Sequence, residues 1–145
     1  VYGPWGRPDM APYLFTKALF EGQTIKLFNH GKQRRDFTYI DDIVQGVVGA
    51  IDRAKTAGRV SQGEHRLYNL GNNQSETLED FVAALENSTH CKANIELVPA
   101  QPGDVVETYA DINRAASELG FSPKINMAQG LEQFVGWYRD YHGIS

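Results

Sequence analysis

At 145 residues the chain is one ordinary domain, long enough to bury a real core. Its 41% hydrophobic and 22% charged residues suit a globular protein, and its apolar runs are too short to span a bilayer. A net charge of −4 argues against a general nucleic-acid or anionic-membrane binder. No basic segment followed by an apolar one opens the sequence, and the single cysteine, Cys91, cannot form an internal disulfide, so a reducing, cytoplasmic setting is expected.

Residues 2–8, YGPWGRP, read as a turn-rich entry. An amphipathic helix starts at Asp9 or Met10, with Met10, Leu14, Phe15, Ala18 and Leu19 as its apolar stripe and Gly22 as its stop. Residues 24–28, TIKLF, alternate like a short strand. A turn at 29–31 follows, then a basic run at 32–35. Residues 37–40 look extended, and Asp41 and Asp42 are placed to cap the next helix through Ile43, Val47, Val48 and Ile51. Residues 54–65 read as a loop and 66–70, RLYNL, as a strand. Thr77 and Asp80 resemble a capping box opening a helix through Leu78, Phe81, Val82 and Leu85. A strand at 95–98, a loop at 99–104 and a short helix capped by Asp111 and ended by Gly120 follow. Asn126 opens the last helix, whose buried face is Leu131, Phe134, Val135, Tyr138 and Tyr141. The pattern is mixed α/β, without a sustained β-α-β rhythm, and helices outnumber strands.

A catalytic engine is missing from this pattern. No G-x-G-x-x-G, no G-x-x-x-x-G-K-[ST] and no G-x-S-x-G motif occurs, and His30, His65, His90 and His142 stand apart from one another. The binding groups present are loop cations, Arg7, Lys32, Arg34 and Arg35, suited either to anionic ligands or to ion pairs with nearby aspartates.

Four stretches in order, VYGPWGRPDM, GKQRRDFTYIDDIV, YNLGNN and QPGDVVETYAD, resemble the C-terminal half of the extended short-chain dehydrogenase family. They are most similar to the nucleotide-sugar epimerases, and within those to the UDP-glucuronate 4-epimerases. YGP, RDF-x-Y-x-DD and YN-x-G are shared across sugar-nucleotide epimerases and dehydratases. GRPDM and QPGDV-x-x-T-Y-AD are narrower and point to the glucuronate branch. The resemblance covers essentially the whole chain. It implies that residues 1–145 form a small mixed α/β C-terminal substrate-binding domain, with elements that complete a missing Rossmann portion. In the family the glycine-rich NAD loop and the Tyr-x-x-x-Lys pair lie upstream of the Tyr-Gly-Pro segment. NAD is therefore expected to be held by an N-terminal portion outside this sequence, and the chain alone to be inactive.

The reaction so implied is redox epimerisation at C4, in which a tyrosine takes the hydroxyl proton and NAD takes the hydride and returns it to the other face. Residues 1–145 would supply grip on a UDP-sugar, with no catalytic or metal-binding residue among them. The resemblance matches Arg35 to the arginine on the pyrophosphate and leaves Arg34 as surface. Lys26 and Phe28 match strand positions along the uracil, the alternative being a solvent-facing Lys26 and a core Phe28. Gln101 stands where UDP-galactose 4-epimerases place a second phosphate arginine; an amide still donates there but brings no charge. Thr108 lies near the position bordering the sugar C6 group. Arg7 is the candidate for holding the glucuronate carboxylate, because a 4-keto glucuronate is a β-keto acid that loses CO₂ when the C–CO₂ bond stands perpendicular to the ketone plane. The alternative is that Arg7 pairs with Asp9 and stiffens the turn.

Other readings stay open at this stage: a different nucleotide-sugar epimerase, a dehydratase or a decarboxylase of the same family, or a non-catalytic nucleotide-sugar binding module. In the family, segments matching 35–44 and 66–71 pack against the cofactor-binding portion, so Phe37, Ile40 and Val44 are expected to be exposed in the chain alone. A homo-oligomer is the expected consequence.

Overall fold

The computed structural model describes residues 1–56 and 65–144. Helix α1, Ala11–Glu21, follows an extended Met10, has Pro12 in its first turn, and ends at a left-handed Gly22 whose N–H bonds back to the last turn. Strand β1, Thr24–Leu27, buries Ile25 and Leu27 and exposes Thr24 and Lys26, as the alternation predicts. A single 3-10 turn, Phe28–Gly31, leads to β2, Arg34–Arg35, inside the expected basic run. Helix α2 is Ile40–Thr56; of the loop expected at 54–65, residues 54–56 continue this helix and 57–64 lie outside the described residues. Strand β3, Glu76–Thr77, runs antiparallel to β2 and leads directly into α3, Leu78–Thr89. Strand β4, Asn94–Leu97, pairs in parallel with β1, placing Lys26 opposite Glu96. Helices α4, Asn113–Leu119, and α5, Met127–His142, close the chain.

The main core lies where α1, β1, α3 and α5 meet around Leu27, Phe81, Leu85, Leu131 and Val135. The entry segment is stitched to it by backbone bonds from Tyr2 N to the Thr38 carbonyl (3.0 Å) and from Ile40 N to the Tyr2 carbonyl (2.9 Å). Tyr2 stands edge-on to Tyr39 and donates its hydroxyl to the Met127 carbonyl at 3.2 Å. Burial, helped by the neighbouring Tyr39 and Asp42, pushes that hydroxyl well above the usual tyrosine range. A smaller cluster of Ile112, Ala115 and Phe121 joins α4 to Tyr68 and Leu70.

Several expectations are corrected. Residues 66–70 are not a strand: among the described residues no strand lies beside them, Leu67 is 84% exposed, and Tyr68 and Leu70 turn onto the α4 cluster instead. Asp42 is no cap for α2. Its buried carboxylate accepts from the backbone N–H groups of Lys124 (3.0 Å) and Ile125 (3.1 Å), fastening the approach to α5. The Thr77 box is half formed: its hydroxyl accepts from Asp80 N at 3.0 Å, but Asp80 accepts the Thr77 hydroxyl proton rather than the backbone N–H. The complete box is Asn126 with Gln129 at the start of α5. Tyr141 is exposed and stacks on Trp137 rather than completing the buried face. Phe37 and Ile40 pack on the main core, so the exposed apolar stripe of α2 is Val44, Val47, Val48 and Ile51.

Candidate functional site

Strand β2 is the spine of the site. Its Arg34 N–H donates to the Val106 carbonyl (2.9 Å) and its Arg34 carbonyl accepts from Thr108 N (3.1 Å), which docks the 104–108 loop alongside it. Leu78 N donates to the Gln33 carbonyl from the other side (3.1 Å). Held on both flanks, β2 presents Arg35 to a cleft of about 350 Å³ whose wall also includes Lys26 and Phe28 from β1 and the turn after it. That volume is within the range of small-molecule sites. Met10 and Leu14, expected in the buried stripe of α1, are exposed and line this cleft instead.

The arginine is pre-oriented. One terminal nitrogen donates to the carbonyls of Arg34 (2.9 Å) and Val106 (3.3 Å), and the other meets Asp104 Oδ1 at 3.1 Å. Gln33, buried beside it, donates its amide to Asp104 Oδ2. Gln33 is a site residue that sequence reasoning missed, although it lies two positions from Arg35, on the same face of an extended chain. Arg34 is not free surface: it reaches Glu107 (3.3 Å) and the Ser75 carbonyl.

The remaining candidates fall at three places. Thr108 lines a shallower neighbouring cleft of about 220 Å³ that shares Val1 and Asp36 with the first. Gln101 is exposed on the adjoining loop, where its carbonyl accepts from Asp104 N at 3.1 Å. Arg7 is exposed and closed onto Asp9, Nε to Oδ1 at 3.0 Å and Nη2 to Oδ2 at 2.5 Å. That hydrogen-bonded pair raises the arginine pKa and lowers the aspartate pKa. Lys26 carries an ion pair to Glu96 at 3.6 Å. The structure therefore brings Lys26, Phe28 and Arg35 to one cleft, sets Thr108 at its neighbour, and leaves Arg7 and Gln101 outside both.

A family model described as GDP-mannose 4,6 dehydratase matches residues 11–134, most of the chain. The chain belongs to that family. An uncharacterized 37.6 kDa protein of Escherichia coli O111:H- is 43% identical over 154 residues, covering 99% of this chain and 46% of that protein. UDP-glucuronate 4-epimerase 4 of Arabidopsis thaliana is 44% identical over 151 residues, covering 98% of this chain and 35% of that enzyme. Among solved structures, UDP-glucuronic acid 4-epimerase from Bacillus cereus, in complex with UDP-glucuronic acid and NAD, superposes with a TM-score of 0.84 at 31% identity. That match covers 97% of this chain and 43% of the enzyme. The chain thus spans less than half the length of these relatives. Its family, like its fold, is that of NAD-dependent nucleotide-sugar epimerases and dehydratases. Among the described residues no helix is long and apolar enough to cross a membrane.

Proposed function

We propose that this chain is the substrate-gripping portion of an NAD-dependent UDP-glucuronate 4-epimerase, which interconverts UDP-glucuronate and UDP-galacturonate through a 4-keto intermediate. The observation that carries this reading is the meeting of Lys26, Phe28 and Arg35 in one cleft, with the Arg35 side chain 24% exposed and already oriented by three acceptors. A pyrophosphate entering there meets a guanidinium that has little conformational freedom left to lose. Its charge-assisted contact is worth ~1.5–3 kcal/mol. The Phe28 ring offers an apolar face to a base, and the Lys26 stem lies along the same wall. Thr108, one cleft further, is within the frame that would meet the sugar. Arg7 reaches a sugar carboxylate only by leaving Asp9, and Gln101 reaches phosphate only by a movement of its loop.

In such an enzyme NAD supplies the hydride acceptor. The sequence carries no G-x-G-x-x-G loop, so the residues present do not fit NAD, and its binding is assigned to the remainder of the longer protein. The α2 stripe of Val44, Val47, Val48 and Ile51 is the face on which that portion would dock. Exposed in the chain alone, the same stripe favours self-association.

The test is product analysis of the whole protein with NAD and UDP-glucuronate. UDP-galacturonate is the expected product. A UDP-pentose would replace epimerisation by decarboxylation, a reading to which the Arg7–Asp9 closure lends support because it leaves the carboxylate unheld. No turnover, with tight UDP-sugar binding, would leave a binding module.

A further inference from the structure

Asp36 lies just past β2, where segments 72–73 and 108–110 converge on it, and neither the family reading nor the cleft chemistry gives it a task. Its Oδ1 accepts from Asn72 N (2.7 Å) and from the Thr38 hydroxyl (3.2 Å). Its Oδ2 accepts from Asn73 N (3.2 Å) and Ala110 N (3.1 Å). The Asp36 amide donates in turn to Thr108 Oγ1 at 3.1 Å. A carboxylate has about four lone-pair positions, and all are taken, three of them by backbone N–H groups from two other segments. The approach is so close that Gly71 tolerates no side chain. A Cβ there would stand 2.4 Å from the Ala110 Cβ and 2.8 Å from Asp36 Oδ2. Asp36 also lines both clefts, the first with Arg35 and the second with Thr108.

We propose that Asp36 is the positioning residue of the nucleotide-sugar site: its carboxylate clamps segments 72–73 and 108–110 onto the end of β2, so that Arg35 and Thr108 share one frame. This rests on the reading of the cleft as a nucleotide-sugar site. The clamp itself is chemical and independent of the ligand. An asparagine of the same size offers one acceptor oxygen and turns an NH₂ group toward N–H donors, so at least one of the backbone bonds fails and the rest lose their charge assistance. Asp42 provides the comparison, because it grips two backbone amides in the same manner but away from both clefts.

The experiment takes the whole protein as wild type, Asp36→Asn, Gly71→Ala and Asp42→Asn. Two quantities are read for each: backbone amide hydrogen exchange and the dissociation constant for UDP. Asp36→Asn and Gly71→Ala are expected to speed exchange at Asn72, Asn73 and Ala110. They should weaken UDP roughly tenfold, the worth of one charge-assisted hydrogen bond. Asp42→Asn is expected to speed exchange at Lys124 and Ile125 and leave UDP affinity within about twofold of wild type. A folded Asp36→Asn protein with wild-type UDP affinity, when Arg35→Ala has lost it, overturns the proposal. If wild type itself fails to bind UDP, the ligand reading falls, and the clamp is judged by exchange alone: unchanged rates at 72, 73 and 110 in Asp36→Asn refute it. Should Asp36→Asn not fold, Thr38→Val removes a single donor to the same carboxylate. A two- to threefold weakening of UDP is then expected, and no change overturns the clamp.

Discussion

Asp41 and Asp42 are chemically identical neighbours at the start of α2, and the structure gives them unequal work. Asp41 is exposed in the first turn, where a carboxylate gains at most ~1 kcal/mol from the helix dipole. Asp42 is 5% exposed and accepts from two backbone N–H groups 82 and 83 residues away. Replacing it by alanine removes two charge-assisted bonds and strands two donors. Each bond is worth ~1.5–3 kcal/mol, and relaxation with water entry recovers part of the sum, so about 3 kcal/mol is the expected net loss. At about 2–4 °C per kcal/mol for a domain of this size, Asp42→Ala should melt about 6–12 °C below wild type. Asp41→Ala should stay within about 4 °C. Thermal unfolding of the two variants side by side at neutral pH, followed by circular dichroism, makes the comparison. Equal losses, or a greater loss for Asp41→Ala, would refute the assignment of Asp42 as the clasp between α2 and the start of α5.

Gly130 faces the Tyr2 hydroxyl, and a Cβ would sit 2.1 Å from it and 2.9 Å from the Tyr39 ring. Gly130→Ala should cost ~1–3 kcal/mol in denaturant unfolding, and Tyr2→Phe should recover part of that loss in the double variant. Phe81, fully buried and stacked on Phe37 at 4.3 Å, should cost ~3–5 kcal/mol when cut to alanine. The Glu118 carboxyl is held down to about 2 by the Tyr68 hydroxyl and then by Arg114 and Arg66. A depressed carboxylate stabilises the fold fully above its ordinary pKa of 4.5 and loses that contribution as pH falls toward 2. The melting-temperature gap between wild type and Glu118→Gln should therefore be open at pH 6 and close by pH 2; a gap independent of pH would contradict it.

What was legible in the sequence was what local periodicity encodes. The alternation of TIKLF gave β1, and the apolar spacing of α3 and α5 gave their core faces, because side-chain direction repeats with the backbone. Residues 66–70 have strand composition, yet composition alone cannot supply a partner, and Tyr68 gains more from Glu118 and the α4 cluster. Strands β2 and β3, two residues each, are too short to show a period at all. Arg35 and its cleft partners were legible through motif resemblance. The roles of Asp36, Asp42 and Gln33 were not, since their partners, Thr38 aside, are 36 to 83 residues away and are mostly backbone groups, which carry no sequence signal. The aspartate of RDF and the glycine of YN-x-G are the traces of the Asp36 clamp that the motifs carry, and the glycine's reason is steric closeness to Ala110 and Asp36 rather than a special φ.

The most direct measurement is the affinity of the protein for UDP, by titration calorimetry, before and after Arg35→Ala. The account predicts binding that weakens roughly ten- to a hundredfold, the loss of one charge-assisted phosphate contact. Unchanged affinity in the Arg35→Ala protein would contradict the assignment of this cleft to the pyrophosphate of a nucleotide sugar.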